Sequence, residues 1–163
     1  MAGRLARRIQ TLERRIARLE DELAIHRLIV SYGFAVDSGD AEATAALFTD
    51  DAVYDIDGTL VLRGRDGVAE MVRGERHQAL LPRCAHTIGP AVVTVDGDAA
   101  VATAYSRVYL REGDALRLWR LSFNRFELER RDGRWLIARR TTRLVGEEEA
   151  QRILASALPP TGR

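Results

Sequence analysis

Few side chains in this sequence are equipped for chemistry. It has three histidines (His26, His77 and His86), a single cysteine (Cys84) and no lysine, since all 25 basic residues are arginine. Without lysine there is no Schiff-base nucleophile and no Walker-type phosphate lysine. The histidines show no HExxH or other ligand spacing, and a lone cysteine makes neither an internal disulfide nor a thiolate zinc cage, so no metal is expected. What remains is general acid–base work by histidine, carboxylate and phenol. Asp37, in Asp37-Ser38-Gly39-Asp40, is a candidate that would serve equally to close a turn. His86, shortly after Pro82 at the mouth of a strand, is a second candidate that alone would read as a core histidine. Tyr32 could be pocket or core. Ser122 and Asn124 interrupt an apolar strand and share its parity, so they project onto one face. Arg143 sits among arginines that suit a surface, and Tyr54 and Tyr109 could bind a ligand or simply pack. His26 is read as a helix-packing residue, His77 as solvent-facing and Cys84 as inert.

The elements that must hold these residues are legible in the rest of the chain. At 163 residues, 46% apolar and 30% charged, this is one soluble globular domain. A net charge of +1 from 25 basic and 24 acidic residues argues against a field-driven nucleic-acid partner. No apolar run approaches the ~20 residues of a membrane span. The charged N-terminus does not look like a secretory leader, so a cytoplasmic location is expected.

Leu5, Ile9, Leu12, Ile16, Leu19 and Leu23 step by 4-3-4-3-4, and His26 and Val30 extend the series into a coiled-coil seam. Ile9, Ile16, Leu23 and Val30 take a positions; Leu5, Leu12, Leu19 and His26 take d. A parallel pair of such helices would bring Arg8 to Glu13, Arg15 to Glu20 and Glu22 to Arg27, all attractive. An antiparallel pair would oppose like charges. The helix enters the core after Ala24 and ends at Asp37–Asp40, with Gly39 at C′ and Asp40 capping the next helix. Expected next are a helix over 41–48, a hairpin of strands 52–56 and 60–62 around Asp57-Gly58, and a helix over 66–77. Four long strands follow, over 87–95, 100–110, 116–129 and 134–144, joined by Gly-containing turns into a meander. A last helix covers 147–158. The division is an N-terminal heptad helix over 1–22, an α+β domain over 23–158 and a tail over 159–163.

Four phrases in this order resemble the SnoaL-like enzymes of the nuclear transport factor 2-like superfamily. They are Tyr32-Gly-Phe-Ala-Val-Asp37-Ser-Gly-Asp40, Leu47-Phe-Thr-Asp-Asp-Ala-Val-Tyr54, Cys84-Ala-His86-Thr and Arg131-Asp-Gly-Arg-Trp135. The resemblance covers about Leu23 to Val145 and implies a cone-shaped curved antiparallel sheet packed with three helices around a pocket. Asp37 and His86 resemble the pocket aspartate and histidine of lyases of the bile acid 7α-dehydratase and scytalone dehydratase types. Tyr32 and Arg143 are similar in placement to residues of the first type, Ser122 and Asn124 to those of the second. A second pocket histidine has no counterpart here, and Ile56 and Tyr109 stand where those relatives carry a tyrosine and an aspartate.

The resemblance implies a cofactor-independent dehydratase or isomerase acting on a hydrophobic cyclic carbonyl compound, polyketide- or steroid-like. Asp37, His86 and Tyr32 would be catalytic; Asn124, Ser122, Arg143, Tyr54 and Tyr109 would bind substrate. A polyketide cyclase, or a binding module with an inactive pocket, are the alternatives. The expected partners are a small hydrophobic molecule and a second copy of the chain in a homodimer, with a trimer open; no nucleic acid and no membrane are expected.

Overall fold

The computed structural model describes residues 2–158. Helix α1 runs over Ala2–Asp37, followed by α2 (Ala41–Ala45), β1 (Phe48–Ile56), β2 (Leu60–Arg63), α3 (Gly64–Arg73) and α4 (Glu75–Gln78). Then come β3 (Cys84–Asp96), β4 (Ala99–Glu112), β5 (Ala115–Arg131), β6 (Arg134–Leu144) and α5 (Glu148–Ser156). The six strands make one sheet in the order β2-β1-β6-β5-β4-β3, so β2 and β3 are its edges and the sheet does not close. All pairings are antiparallel except β1 with β6, which run parallel. The expected α+β architecture with a long N-terminal helix is present. No described helix is long and apolar enough to cross a membrane.

The helices depart from the sequence expectation in two places. The helix expected over 41–48 is only Ala41–Ala45, because Phe48 instead begins β1, opposite Ile137 of β6. The helix expected over 66–77 breaks at Gly74, whose extended backbone (φ −63°, ψ 144°) ends α3 and starts α4. The described residues therefore form five helices, the long α1 and four short ones, where a long helix and three packed ones are expected from the sequence.

The core lies on the concave face of the sheet. Ile25, Ile29, Tyr32 and Val36, spaced by three or four residues along α1, are buried with Phe48, Tyr54, Val68, Val72, Phe126, Leu128 and Ile137. Burying these side chains is the main force holding α1 and α3 to the sheet. The convex face carries a smaller cluster, where Phe123 packs with Ala150 and Ile153 of α5. At the end of α1, Gly39 takes a left-handed φ of +73°, the C′ role for which glycine is suited. Asp40 then caps α2 by accepting a 2.8 Å hydrogen bond from the Ala43 amide.

Candidate active site

The last turn of α1 and the first residues of β3 meet at Asp37 and His86. His86 Nδ1 lies 2.6 Å from Asp37 Oδ1. The His86 backbone amide donates to Asp37 Oδ2, also at 2.6 Å. One carboxylate therefore fixes both the ring and the main chain of the histidine. Burial pushes the Asp37 carboxyl upward, but the two hydrogen bonds from His86 outweigh it and hold the group below its ordinary value. Because Asp37 is then an acceptor, Nδ1 carries the proton, and in the neutral imidazole Nε2 keeps its lone pair. Cys84, two residues earlier, donates its thiol to Asp37 Oδ1 at 3.4 Å. Burial first, and then the charge of Asp37, push that thiol up to about 12, so it is an inert neutral group at physiological pH.

Asp37, Cys84 and His86 bring potential ligand atoms within 4.8 Å of one another. Their donor atoms are engaged with one another: Oδ1 takes the His86 ring and the Cys84 thiol, and Oδ2 takes the His86 amide.

His86 forms part of the wall of a cavity of about 180 Å³. Tyr32 and Val36 of α1, Tyr54 and Ile56 of β1, and Met71 and Leu80 supply its apolar lining. The β1–β2 turn adds Asp57 and Thr59, and β2 adds Leu60; Arg76, His77, Trp119 and Arg120 complete it. Trp119 and Arg120 are consecutive in a strand, where neighbours normally face opposite ways. A bulge allows both to reach the cavity: Val108 pairs with Arg120 and Tyr109 with Leu118, leaving Trp119 as the extra residue. Arg120 donates to Asp57 Oδ1 at 2.6 Å, tying β5 to the β1–β2 turn across the cavity wall.

Behind Tyr32 and Tyr54 stands Arg140, 1% exposed. Its guanidinium carbon is 4.0 Å from the Tyr32 ring centre, 4.6 Å from that of Tyr54 and 5.1 Å from that of Phe126. Nε donates to Asn124 Oδ1 at 2.9 Å, and Asn124 in turn donates to Ser122 Oγ at 3.2 Å. One terminal nitrogen, Nη1, is buried with no hydrogen-bond partner. Among the described residues no carboxylate pairs with Arg140, so a positive charge sits uncompensated behind two phenols. Burial, then Tyr54, push the Tyr32 phenol far above its ordinary value, with Arg140 opposing them; the phenol stays protonated and keeps an O–H to donate.

The SnoaL-like domain family matches this chain over residues 17–141, most of its length. The chain belongs to the SnoaL-like domain family. Among solved structures it is similar to an NTF2-like protein with a cystatin-like fold from Novosphingobium aromaticivorans. That protein is 37% identical, with 89% of this chain and 96% of that one covered and a TM-score of 0.86. It also resembles in fold a Mycobacterium tuberculosis protein of unknown function (24% identity, 86% and 88% covered, TM-score 0.72). A third likeness, again of fold, is to a candidate scytalone dehydratase from N. aromaticivorans (20% identity, 78% and 86% covered, TM-score 0.67). No curated protein sequence matches.

Within this SnoaL-like fold the remaining sequence candidates divide by face. Tyr32, Tyr54, Asp37 and His86 are gathered at or beside the cavity. Ser122 and Asn124 do face the concave side, as their shared parity requires, but they brace Arg140 and do not line the cavity. Arg143 lies three residues from Arg140 and so points the other way. It is buried on the convex side, bonded to Asp55 at 2.8 Å and to Glu149 of α5 at 2.5 Å, neither a surface residue nor a ligand contact. Tyr109 pairs with Ala85, whose side chain is on the face opposite His86, and is likewise away from the cavity. His77 is not solvent-facing: the break at Gly74 turns it inward, with Nε2 2.8 Å from the Val36 carbonyl oxygen and its ring centre 6.1 Å from that of His86.

Proposed function

We propose that the protein is a cofactor-independent lyase or isomerase that moves a proton on carbon next to a carbonyl, with His86 as the base. The observation carrying this reading is the 2.6 Å bond from His86 Nδ1 to Asp37 in a histidine that also faces the cavity. Asp37 is the positioning residue; it holds the tautomer and stabilises the imidazolium once formed. Nε2 takes the proton from carbon, and the C–H electron pair moves into an enol whose oxygen the hydroxyl of Tyr32 or Tyr54 polarises. In a dehydration the imidazolium returns its proton to a β-hydroxyl, the C–O bond breaks, a C=C bond forms and water leaves. In an isomerisation the proton returns to a different carbon instead.

The positive charge of Arg140 behind the phenols favours whatever negative charge collects on that oxygen. The size of the cavity narrows the substrate. An apolar cavity of ~150 Å³ accepts benzene, so about 180 Å³ takes one substituted ring, with any further rings of a polyketide or steroid reaching past Trp119.

Deuterium uptake from heavy water into 2-indanone or cyclohexanone tests the reading directly, followed by NMR with and without protein. Accelerated exchange at the α-carbon is expected. Binding without exchange would overturn it and leave a ligand-binding module. Ring-closing cyclase chemistry with the same dyad is distinguished by products, since only dehydration loses one water.

A further inference from the structure

Helix α1 carries two apolar faces, and the domain uses only one of them. At 100° per residue, Ile25, Ile29, Tyr32 and Val36 cluster on the side that packs into the core. Leu5, Ile9, Leu12, Ile16, Leu19, Leu23, Val30 and Phe34 lie roughly 150° away around the helix. Every one of these eight is exposed, from 45% for Val30 to 74% for Phe34. The seam is therefore not the buried stripe of a helix lying on its own domain.

The anchoring of α1 sharpens this. Trp135 Nε1 donates to Asp21 Oδ1 at 3.1 Å and Arg130 pairs with the same oxygen at 2.8 Å, which marks where the helix joins the body. From Gly3 to Glu20 every residue is exposed. A free helix of that length is only marginally stable in water, the threshold being ~12–15 residues even for favourable sequences. A partner that covers the seam would supply what the domain does not.

We infer that the partner is a second copy of this chain, with the two α1 helices side by side, parallel and in register. Isoleucine at a (Ile9, Ile16) with leucine at d (Leu5, Leu12, Leu19) is the combination that favours two parallel strands. In that register Arg8 meets the second copy's Glu13, Arg15 its Glu20 and Glu22 its Arg27. Among the described residues none of these six makes an ion pair within the chain. Their charges stand ready for an intermolecular match. An antiparallel pair would set Arg15 against Arg15 and Glu13 against Glu20. The core face and the seam point in different directions, so each protomer's body lies away from the helix pair and leaves the two cavities independent.

Sedimentation of the full chain with two variants tests the interface. The wild type is expected at twice the chain mass. Ile9→Asp with Ile16→Asp puts charge in the seam, and Arg8→Glu with Arg15→Glu makes four of the six inter-helix pairs repulsive. Each double variant should weaken dimerisation at least ~10-fold while leaving deuterium exchange in the cavity as it was. A Leu5→Cys variant in a Cys84→Ser background should form an intermolecular disulfide, since only a parallel pair brings the two N-terminal ends together. A monomeric or trimeric wild type, a dimer indifferent to both double variants, or absence of the Leu5→Cys cross-link would each overturn the proposal. So would a monomer that sediments with vesicles of anionic phosphatidylglycerol, because the seam would then be a lipid-facing stripe.

Discussion

Gly33 lies against the carbonyl of His86 so closely that a Cβ on residue 33 would sit 2.3 Å from that oxygen. This contact sets the distance between α1 and β3 at the point where Asp37, one turn further along the helix, reaches the His86 ring and amide. The requirement for glycine here is steric, not conformational. Gly33→Ala must push the helix from the strand, and overpacking of this kind costs about 1–3 kcal/mol. The expected result is a lower thermal midpoint together with slower proton exchange in a bound ketone. A variant of wild-type stability and activity would mean that the helix and strand can separate without consequence for the dyad.

His86→Ala and Asp37→Asn should each slow deuterium uptake into bound 2-indanone by at least ~10²-fold, the usual contribution of a positioned base. The two differ in kind. His86→Ala removes the base, whereas Asp37→Asn keeps a hydrogen-bonding side chain but loses the charge that selects the tautomer. Circular dichroism confirms whether each stays folded. Folded variants that exchange at the wild-type rate would remove His86 and Asp37 from the mechanism.

Arg140 should act through charge. In Arg140→Met an apolar chain of similar length replaces the guanidinium between the Tyr32, Tyr54 and Phe126 rings. Bound 4-nitrophenol reports the effect by its colour: the wild type should hold the phenolate form at lower pH than Arg140→Met does. A roughly tenfold loss in preference for phenolate over phenol is expected, within the range for desolvated cation–π contacts. Thermal unfolding of the variant separates this from collapse of the core, since exchanging a buried ion for an apolar group is often neutral for stability. An unchanged titration would make Arg140 a packing residue only.

These residues also mark what the sequence could and could not reveal. The seam, the cap at Asp40, the turn at Gly39 and the meander followed from spacing and turn residues, which are local properties. The pairing of Asp37 with His86 spans α1 and β3 and came from resemblance. Arg140 and Arg143 look alike in Arg139-Arg140-Thr141-Thr142-Arg143. They are separated only by strand parity, which needs one anchored residue, such as Tyr54 opposite Arg140, before it can be applied. The bulge at Trp119 gives no local signal at all, so nothing in the sequence alone brings both Trp119 and Arg120 to the cavity. His77 faces solvent on an unbroken helix over 66–77, and the break at Gly74 is what buries it.

The acid limb of stability should report the same dyad. Asp37 is held below its ordinary value by the His86 bonds that outweigh its burial. Asp55 is lowered by its hydrogen bond from Arg143. For such groups the folded state binds the proton less readily than the unfolded chain does. Their stabilisation is fully present above the ordinary aspartate value, roughly pH 4. It declines as pH drops below that value, because the unfolded chain takes up protons first, and is gone once pH falls past the folded-state values. Urea midpoints measured from pH 6 down to pH 2 should therefore fall on the acid side of about pH 4 in the wild type. Asp37→Asn and Asp55→Asn should each start lower at pH 6 and show a shallower decline, since one titrating contribution has been removed. A decline of equal steepness in Asp37→Asn would mean that His86 does not hold this carboxylate in its charged form.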